Sequence, residues 1–311
     1  MICKCERALS IRIAALLLSS LFLVALAACA GRTSSSTRLK VVATTNVLGD
    51  VVAQVGADLI DLTVLLPVAT DPHGFQPTPR DLAAVEAADL VFVNGLGLEE
   101  FLVDMVEAAG SSEQLVLVSQ GMAVIEVTDE HDHENTSADP HVWLDPQNVS
   151  LWVDTIAAAM ASRDAEHAAA FTVNADAYKQ ELEVLDQWAQ AEIGRIPAEK
   201  RVLVTDHNTL AYFASRYGFE LVGTVIPGAS SLAEPAAAEL AELEERIDEL
   251  GVAAIFVGTS VNQEVARRVA EDSGIRLVTL YTGSLSDAEG PAASYLEMMR
   301  YNVNAIVGAL Q

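Results

Sequence analysis

The sequence predicts an α/β protein of two lobes, each a four-stranded, mainly parallel sheet with flanking helices, joined by a long backbone helix. Three observations predict it. Short Val-, Ile- and Leu-rich runs are continuously apolar rather than alternating, as in strands covered on both faces of a parallel sheet. Most are followed by an Ala/Glu/Leu stretch with apolar residues at helical spacing, the strand–helix repetition of α/β units. The middle of the chain, Pro146 to about Ile196, contains no strand-like run at all.

In the first half the expected strands are Leu39–Thr45, Leu62–Leu66, Leu90–Asn94 and Leu115–Ser119. Helices are expected at Asn46–Val55, Thr78–Ala87 and Glu99–Ala109. In the second half the strands are Arg201–Thr205, Glu220–Val225, Ala253–Val257 and Arg276–Leu280. The helices there are Thr209–Tyr217, Pro235–Leu250, Gln263–Ser273 and Pro291–Leu310. Between the halves, Trp152, Ile156, Ala159 and Met160, then Phe171, Tyr178, Leu182 and Leu185, recur at helical spacing. They predict one long connecting helix, open to interruption near Ser162–Glu166. The lobes then cover 38–145 and 197–311, with the connector at 146–196.

Residues 1–28 read as an export signal. Lys4, Arg7 and Arg12 give a basic start, and an apolar run from Ile13 to Ala28 follows, broken only by Ser19 and Ser20. The run is short for a membrane span. It ends in Leu26-Ala27-Ala28-Cys29, which resembles a bacterial lipobox, where cleavage precedes a cysteine that is then lipidated. The plainer reading is an ordinary signal peptide with Cys29 incidental. Cys3 and Cys5 lie in the segment to be removed, so the mature chain would keep Cys29 alone, with no disulfide and no thiolate zinc cluster. Residues 29–37 are small and polar and read as a tether behind the lipidated cysteine.

The chain carries 44 acidic and 18 basic side chains; without residues 1–28 the body has 43 against 15. That balance excludes a nucleic-acid partner. It suits an outward-facing body that raises the local concentration of cations, or serves solubility alone.

Three of the six histidines sit in rigid frames just after expected strands: Asp71-Pro72-His73, Asp139-Pro140-His141 and Asp206-His207. In open α/β sheets that edge is where ligands bind. Three imidazoles converging on one point would make a transition-metal site, most often for zinc. His131 and His133 lie in an acidic loop, Asp129–Asn135, and are candidates for accessory metal capture. His167 reads as a surface residue in a helical stretch.

These frames, with Pro77-Thr78-Pro79, the phrase Asp139-Pro140-His141-Val142-Trp143-Leu144-Asp145-Pro146, Tyr212-Phe213, Leu280–Ser286, Gly290-Pro291 and Tyr295–Asn302, resemble a known family. It comprises the metal-binding lipoproteins (cluster A-I solute-binding proteins) of bacterial zinc and manganese ABC importers. The resemblance runs from about Leu39 to Leu310. It implies metal bound between two lobes, His73, His141 and His207 as ligands, and a membrane permease as partner of a lipid-anchored monomer. The chain departs from the family at the fourth ligand: where an aspartate is common, Gly283 stands in Tyr281-Thr282-Gly283-Ser284-Leu285. Water or Asp287 is left for that position. Asp145 and Asn208 are candidates to support the ligands. Three imidazoles without a carboxylate favour Zn²⁺ over Mn²⁺, which prefers oxygen. The competing reading is a zinc hydrolase or hydratase with an open water position.

Overall fold

The computed structural model describes residues 38–99, 102, 112–129 and 132–311. The export signal, Cys29, the tether, most of the expected helix Glu99–Ala109, His131 and the side chain of His133 lie outside the described residues. The first sheet consists of β1 (Leu39–Ala43), β2 (Ile60–Val64), β3 (Leu90–Val93) and β4 (Leu115–Leu117). All pairs are parallel, in the order β2-β1-β3-β4. β3 buries all four of its residues and is continuously apolar; β1 buries four of its five, the exception being exposed Lys40. β2 begins and ends two residues before its expected place. Leu65 and Leu66 are nonetheless buried, and their amides continue the ladder to Ala43 and Thr44 carbonyls.

An antiparallel hairpin follows, β5 (Glu126–Asp129) and β6 (Asp132–Ala138), with Glu126 opposite Ala138. It was not expected: this stretch is polar and lacks the alternation that marks a half-buried strand.

The second sheet is built from β7 (Val202–Thr205), β8 (Glu220–Thr224), β9 (Ala254–Gly258) and β10 (Arg276–Leu280). It too is wholly parallel, in the order β10-β9-β7-β8. Both sheets therefore reverse their winding beside a central strand, at β1/β3 and β7/β9. The crevice at the carboxyl ends of such strands is the expected ligand position.

The described helices are α1 (Asn46–Gly56), α2 (Pro79–Glu86), α3 (Pro146–Arg163), α4 (Ala168–Ile193), α5 (Ala211–Tyr217), α6 (Ala237–Leu250), α7 (Glu264–Asp272) and α8 (Tyr295–Leu310). Their starts are written locally. Thr78 and Asp81 form a capping box with Pro79 in the first turn of α2. Ser294 and Glu297 do the same for α8.

The expected single connector is two helices. α3 ends at Arg163, a short turn at 164–167 follows, and α4 packs back along α3. His167 closes this turn: its ring pairs with Asp164 at 2.6 Å, which raises the histidine's pKa chiefly through that hydrogen bond. α3 rests on α1 and β3, whereas α4 touches both α1 and α8. At 26 residues α4 is roughly 39 Å long, enough to run behind both sheets. One continuous apolar cluster includes residues of β1, α1, α3, α4, α5, β9 and α8. Arg38–Gln311 accordingly form one compact unit. Among the described residues no helix is long and apolar enough to cross a membrane.

Candidate metal centre

Each of the three histidines is placed by an aspartate one or two residues before it. Asp71 caps a short 3₁₀ turn, Pro72–Gly74, its Oδ1 accepting the His73 amide at 3.0 Å. Its Oδ2 accepts the Ser231 hydroxyl from the other lobe. Asp139, fully buried, accepts both the His141 amide (2.9 Å) and His141 Nδ1 (2.8 Å) through Oδ1. With Nδ1–H directed at Asp139, His141 presents its Nε2 lone pair to the centre. Asp206 ends the β7 segment, accepting the His207 amide (2.7 Å) and the Gly258 amide (2.6 Å). His207 Nδ1 lies 3.0 Å from Asp206 Oδ1, but off the line a hydrogen bond needs. Burial pushes the Asp206 carboxyl up, but the His207 ring and these two amides outweigh it and hold it low.

The rings converge. His141 Nε2 is 3.2 Å from His73 Nε2 and 3.3 Å from His207 Nε2. A tetrahedral ion with metal–nitrogen bonds of about 2.0–2.1 Å needs its nitrogens about 3.3–3.4 Å apart. Among the described residues this is the group able to hold a metal, and it contains no carboxylate. The convergence point lies in a cleft of about 10 Å³ lined by Asp71, Thr209, Ser260, Thr282 and Gly283 as well as the histidines. That is room for an ion with one small ligand beside it, and for no organic molecule.

The lobes are clasped around it. Ser284 Oγ accepts the Asn46 side-chain amide at 2.9 Å and the Ala69 amide at 2.8 Å, and Asn46 Oδ1 accepts the Leu285 amide. Trp143 Nε1 donates to the Thr282 carbonyl and the Tyr295 hydroxyl to the Trp143 carbonyl, both at 2.7 Å. The turn carrying His141 is thus tied to the loop after β10.

A family model for ZnuA, the periplasmic component A of a zinc-uptake complex, matches residues 41–309. The chain belongs to the ZnuA family. Within that family it is similar to the manganese-binding lipoprotein MntA of Halalkalibacterium halodurans, with 34% identity over 90% of this chain and 91% of the relative. It shares 30% identity with the manganese ABC transporter substrate-binding lipoprotein PsaA of Streptococcus pneumoniae, over 95% and 96% of the two chains. Among solved structures, the periplasmic zinc-binding protein TroA from Treponema pallidum superposes with a TM-score of 0.81. It is 28% identical, over 88% of this chain and 99% of that one. These relatives are named as metal- or substrate-binding proteins rather than enzymes.

Against this ZnuA-family frame, three expected site residues stand elsewhere. Asp145 orients no ligand: it caps α3 through the Gln147 amide and lies 3.7 Å from Arg216. Arg216 also pairs with Asp186 of α4, so Asp145 belongs to the junction between the lobes. Asn208 anchors through its backbone to the Gly228 carbonyl, and the ring of His207 has Asp206 beside it instead. Asp287 is exposed and does not line the cleft; its carbonyl takes the Ser286 hydroxyl and the Gly290 amide in a local turn. Gly283 does line it, next to Ser260 and Pro72.

Several supporting contacts were not expected from the sequence. Buried Glu99 accepts the Thr44 hydroxyl and the Asn94 and Gly95 amides. Asn94 in turn donates to the Pro140 carbonyl, bracing the His141 loop. The Tyr212 hydroxyl donates to the Asp139 carbonyl.

His73 shows what the enclosure does to the imidazoles. Burial first, then repulsion from the His141 and His207 rings, lowers its pKa to about 2. In the folded protein it is neutral, as a metal ligand must be. In the unfolded chain the same ring takes a proton near pH 6.5. Below that pH the unfolded state therefore binds more protons, and stability falls as pH falls. Acidifying the metal-free protein from pH 6.5 to 5 should cost up to about 2 kcal/mol through this residue alone. Urea unfolding at the two pH values measures it, and His73→Asn should flatten the dependence. An equal slope in both proteins would show that His73 is not held neutral.

Proposed function

We propose that this chain captures a divalent transition metal outside the cytoplasmic membrane and delivers it to the permease of an ABC importer, with Zn²⁺ rather than Mn²⁺ as cargo. It acts as a monomer, tethered by lipid on Cys29, which keeps it at high effective concentration near the membrane partner. The observation that carries this reading is the convergence of three imidazole Nε2 atoms with no carboxylate among them. Nitrogen donors suit zinc, and manganese favours oxygen. The names of relatives point both ways, to manganese for MntA and PsaA and to zinc for TroA.

The size of the cleft speaks against the hydrolase alternative. About 10 Å³ holds an ion and excludes an organic substrate. The adjoining groove of about 420 Å³ reaches His73 but neither His141 nor His207. A substrate lying there would meet the edge of one ligand, so the groove serves as an approach for the ion.

Nearly every site of this kind binds zinc more tightly than manganese in vitro, so the choice of cargo is tested in cells. Deleting the gene should lower cellular zinc under zinc limitation and leave manganese unchanged. Loss of manganese alone would overturn the zinc assignment. Protein purified without added metal should carry one zinc per chain.

A further inference from the structure

With Gly283 contributing no side chain, the three histidines leave one side of a bound ion to be completed from the rest of the cleft. Its lining offers hydroxyls. Asp71 lines it too, but both of its oxygens are engaged, by the His73 amide and the Ser231 hydroxyl. Thr209 differs from its neighbours. It is buried, 1% exposed, and its Oγ1 has no hydrogen-bond partner. Its backbone is fixed two residues beyond the ligand, its amide donating to the His207 carbonyl at 2.6 Å. A buried hydroxyl without a partner is uncommon in a native protein and calls for an explanation.

We propose that Thr209 holds the water molecule that completes the coordination of the metal, making this a three-histidine, one-water site positioned by a neutral hydroxyl. The proposal rests on the metal-binding reading given above. Water on a divalent cation is acidified and is a strong donor, and Thr209 Oγ1 is an oxygen free to accept. The same neutral hydroxyl adds no charge to the site. An ion that needs an anionic oxygen gains nothing from it, whereas one satisfied by imidazoles and water does. Thr209 is thus a positioning residue for that water.

The test uses Thr209→Val, which keeps the shape and removes the oxygen, and Thr209→Ser, which restores it. Zn²⁺ affinity of the Val variant should fall about fivefold, the effect of one ordinary hydrogen bond. The visible bands of bound Co²⁺, which report coordination number and geometry, should change, and Ser should recover both. The melting temperature of the metal-free protein should stay or rise, because the Val variant loses an unsatisfied buried oxygen. A merely structural role would lower stability and affinity together. In a Gly283→Asp background the carboxylate replaces the water, and Thr209→Val should then have no effect. Unchanged affinity and unchanged Co²⁺ bands in Thr209→Val would overturn the proposal, as would an equal loss with Asp at position 283. If Gly283→Asp does not fold, the Val-against-Ser comparison decides. Wild-type protein that takes up neither Zn²⁺ nor Co²⁺ would overturn the metal reading itself, and this proposal with it.

Discussion

His73→Ala should weaken zinc binding at least tenfold, about 1.4 kcal/mol or more, without a matching loss of stability. On the three-histidine reading each imidazole would supply one direct bond to an ion that has few others. The three substitutions differ in what else they disturb. His141→Ala also strips Asp139, a fully buried carboxylate, of its ring partner, and an uncompensated buried charge is costly by itself. His207→Ala removes the ring beside buried Asp206. At position 73 the aspartate bonds the backbone amide, which Ala retains, so the turn at Pro72–Gly74 should survive. His73→Ala therefore reports on the metal bond with least interference. Isothermal titration with a competing chelator measures the affinity, and thermal unfolding of the metal-free protein supplies the control. Replacing His131 and His133 together should change equilibrium affinity much less, because the ring nitrogens of His73, His141 and His207 already converge without them. A loop pair as damaging as His73→Ala would remove the three-histidine assignment.

The convergence of His73, His141 and His207 was legible because their signal is local. A histidine framed by Asp and Pro after an apolar strand needs only the α/β rule to be placed at the ligand edge. The central strands β3 and β9 were legible for the same reason: burial on both faces writes an uninterrupted apolar run. What stayed hidden depends on residues far apart in sequence. Asp145 looked like a ligand support because it follows His141 by four residues, but a 3₁₀ turn at Val142–Leu144 carries it away to cap α3. Asp139, which bonds the His141 ring, and Asp206, which lies beside the His207 ring, stood in the frames themselves, yet Asp145 and Asn208 were the expected supports. Glu99 and Asn94 brace a loop more than forty residues later in the chain, at Pro140, and nothing in their own neighbourhood says so. The break in the connector was expected near Ser162–Glu166 and falls at 164–167; what periodicity does not say is that the second helix folds back along the first. The hairpin β5–β6 escaped because its pairing is made by backbone in a polar stretch.

Gly283→Asp should tighten manganese binding about tenfold or more and zinc binding proportionally less, since carboxylate oxygen is the better ligand for manganese. The backbone permits the change: Gly283 lies outside the left-handed region, so a side chain carries no conformational strain there. Space is the narrower condition. A Cβ at this position would stand 3.1 Å from Ser260 Oγ and 3.3 Å from Pro72 Cδ. The hydroxyl can turn away; the proline ring, in the turn that carries His73, has less freedom. If Pro72 gives way, His73 moves with it and zinc affinity falls instead. Ser260→Ala combined with Gly283→Asp separates the two contacts, and recovery in the double variant would place the conflict at the hydroxyl. Asp287→Ala is the companion measurement. Asp287 is exposed and outside the cleft, so its removal should leave both affinities unchanged. A loss of zinc affinity on the scale of His73→Ala would mean that the loop after β10 folds inward when metal binds and that Asp287 supplies the fourth bond. Titration of the two variants with both ions, against wild type, distinguishes a site completed by water from one completed by carboxylate.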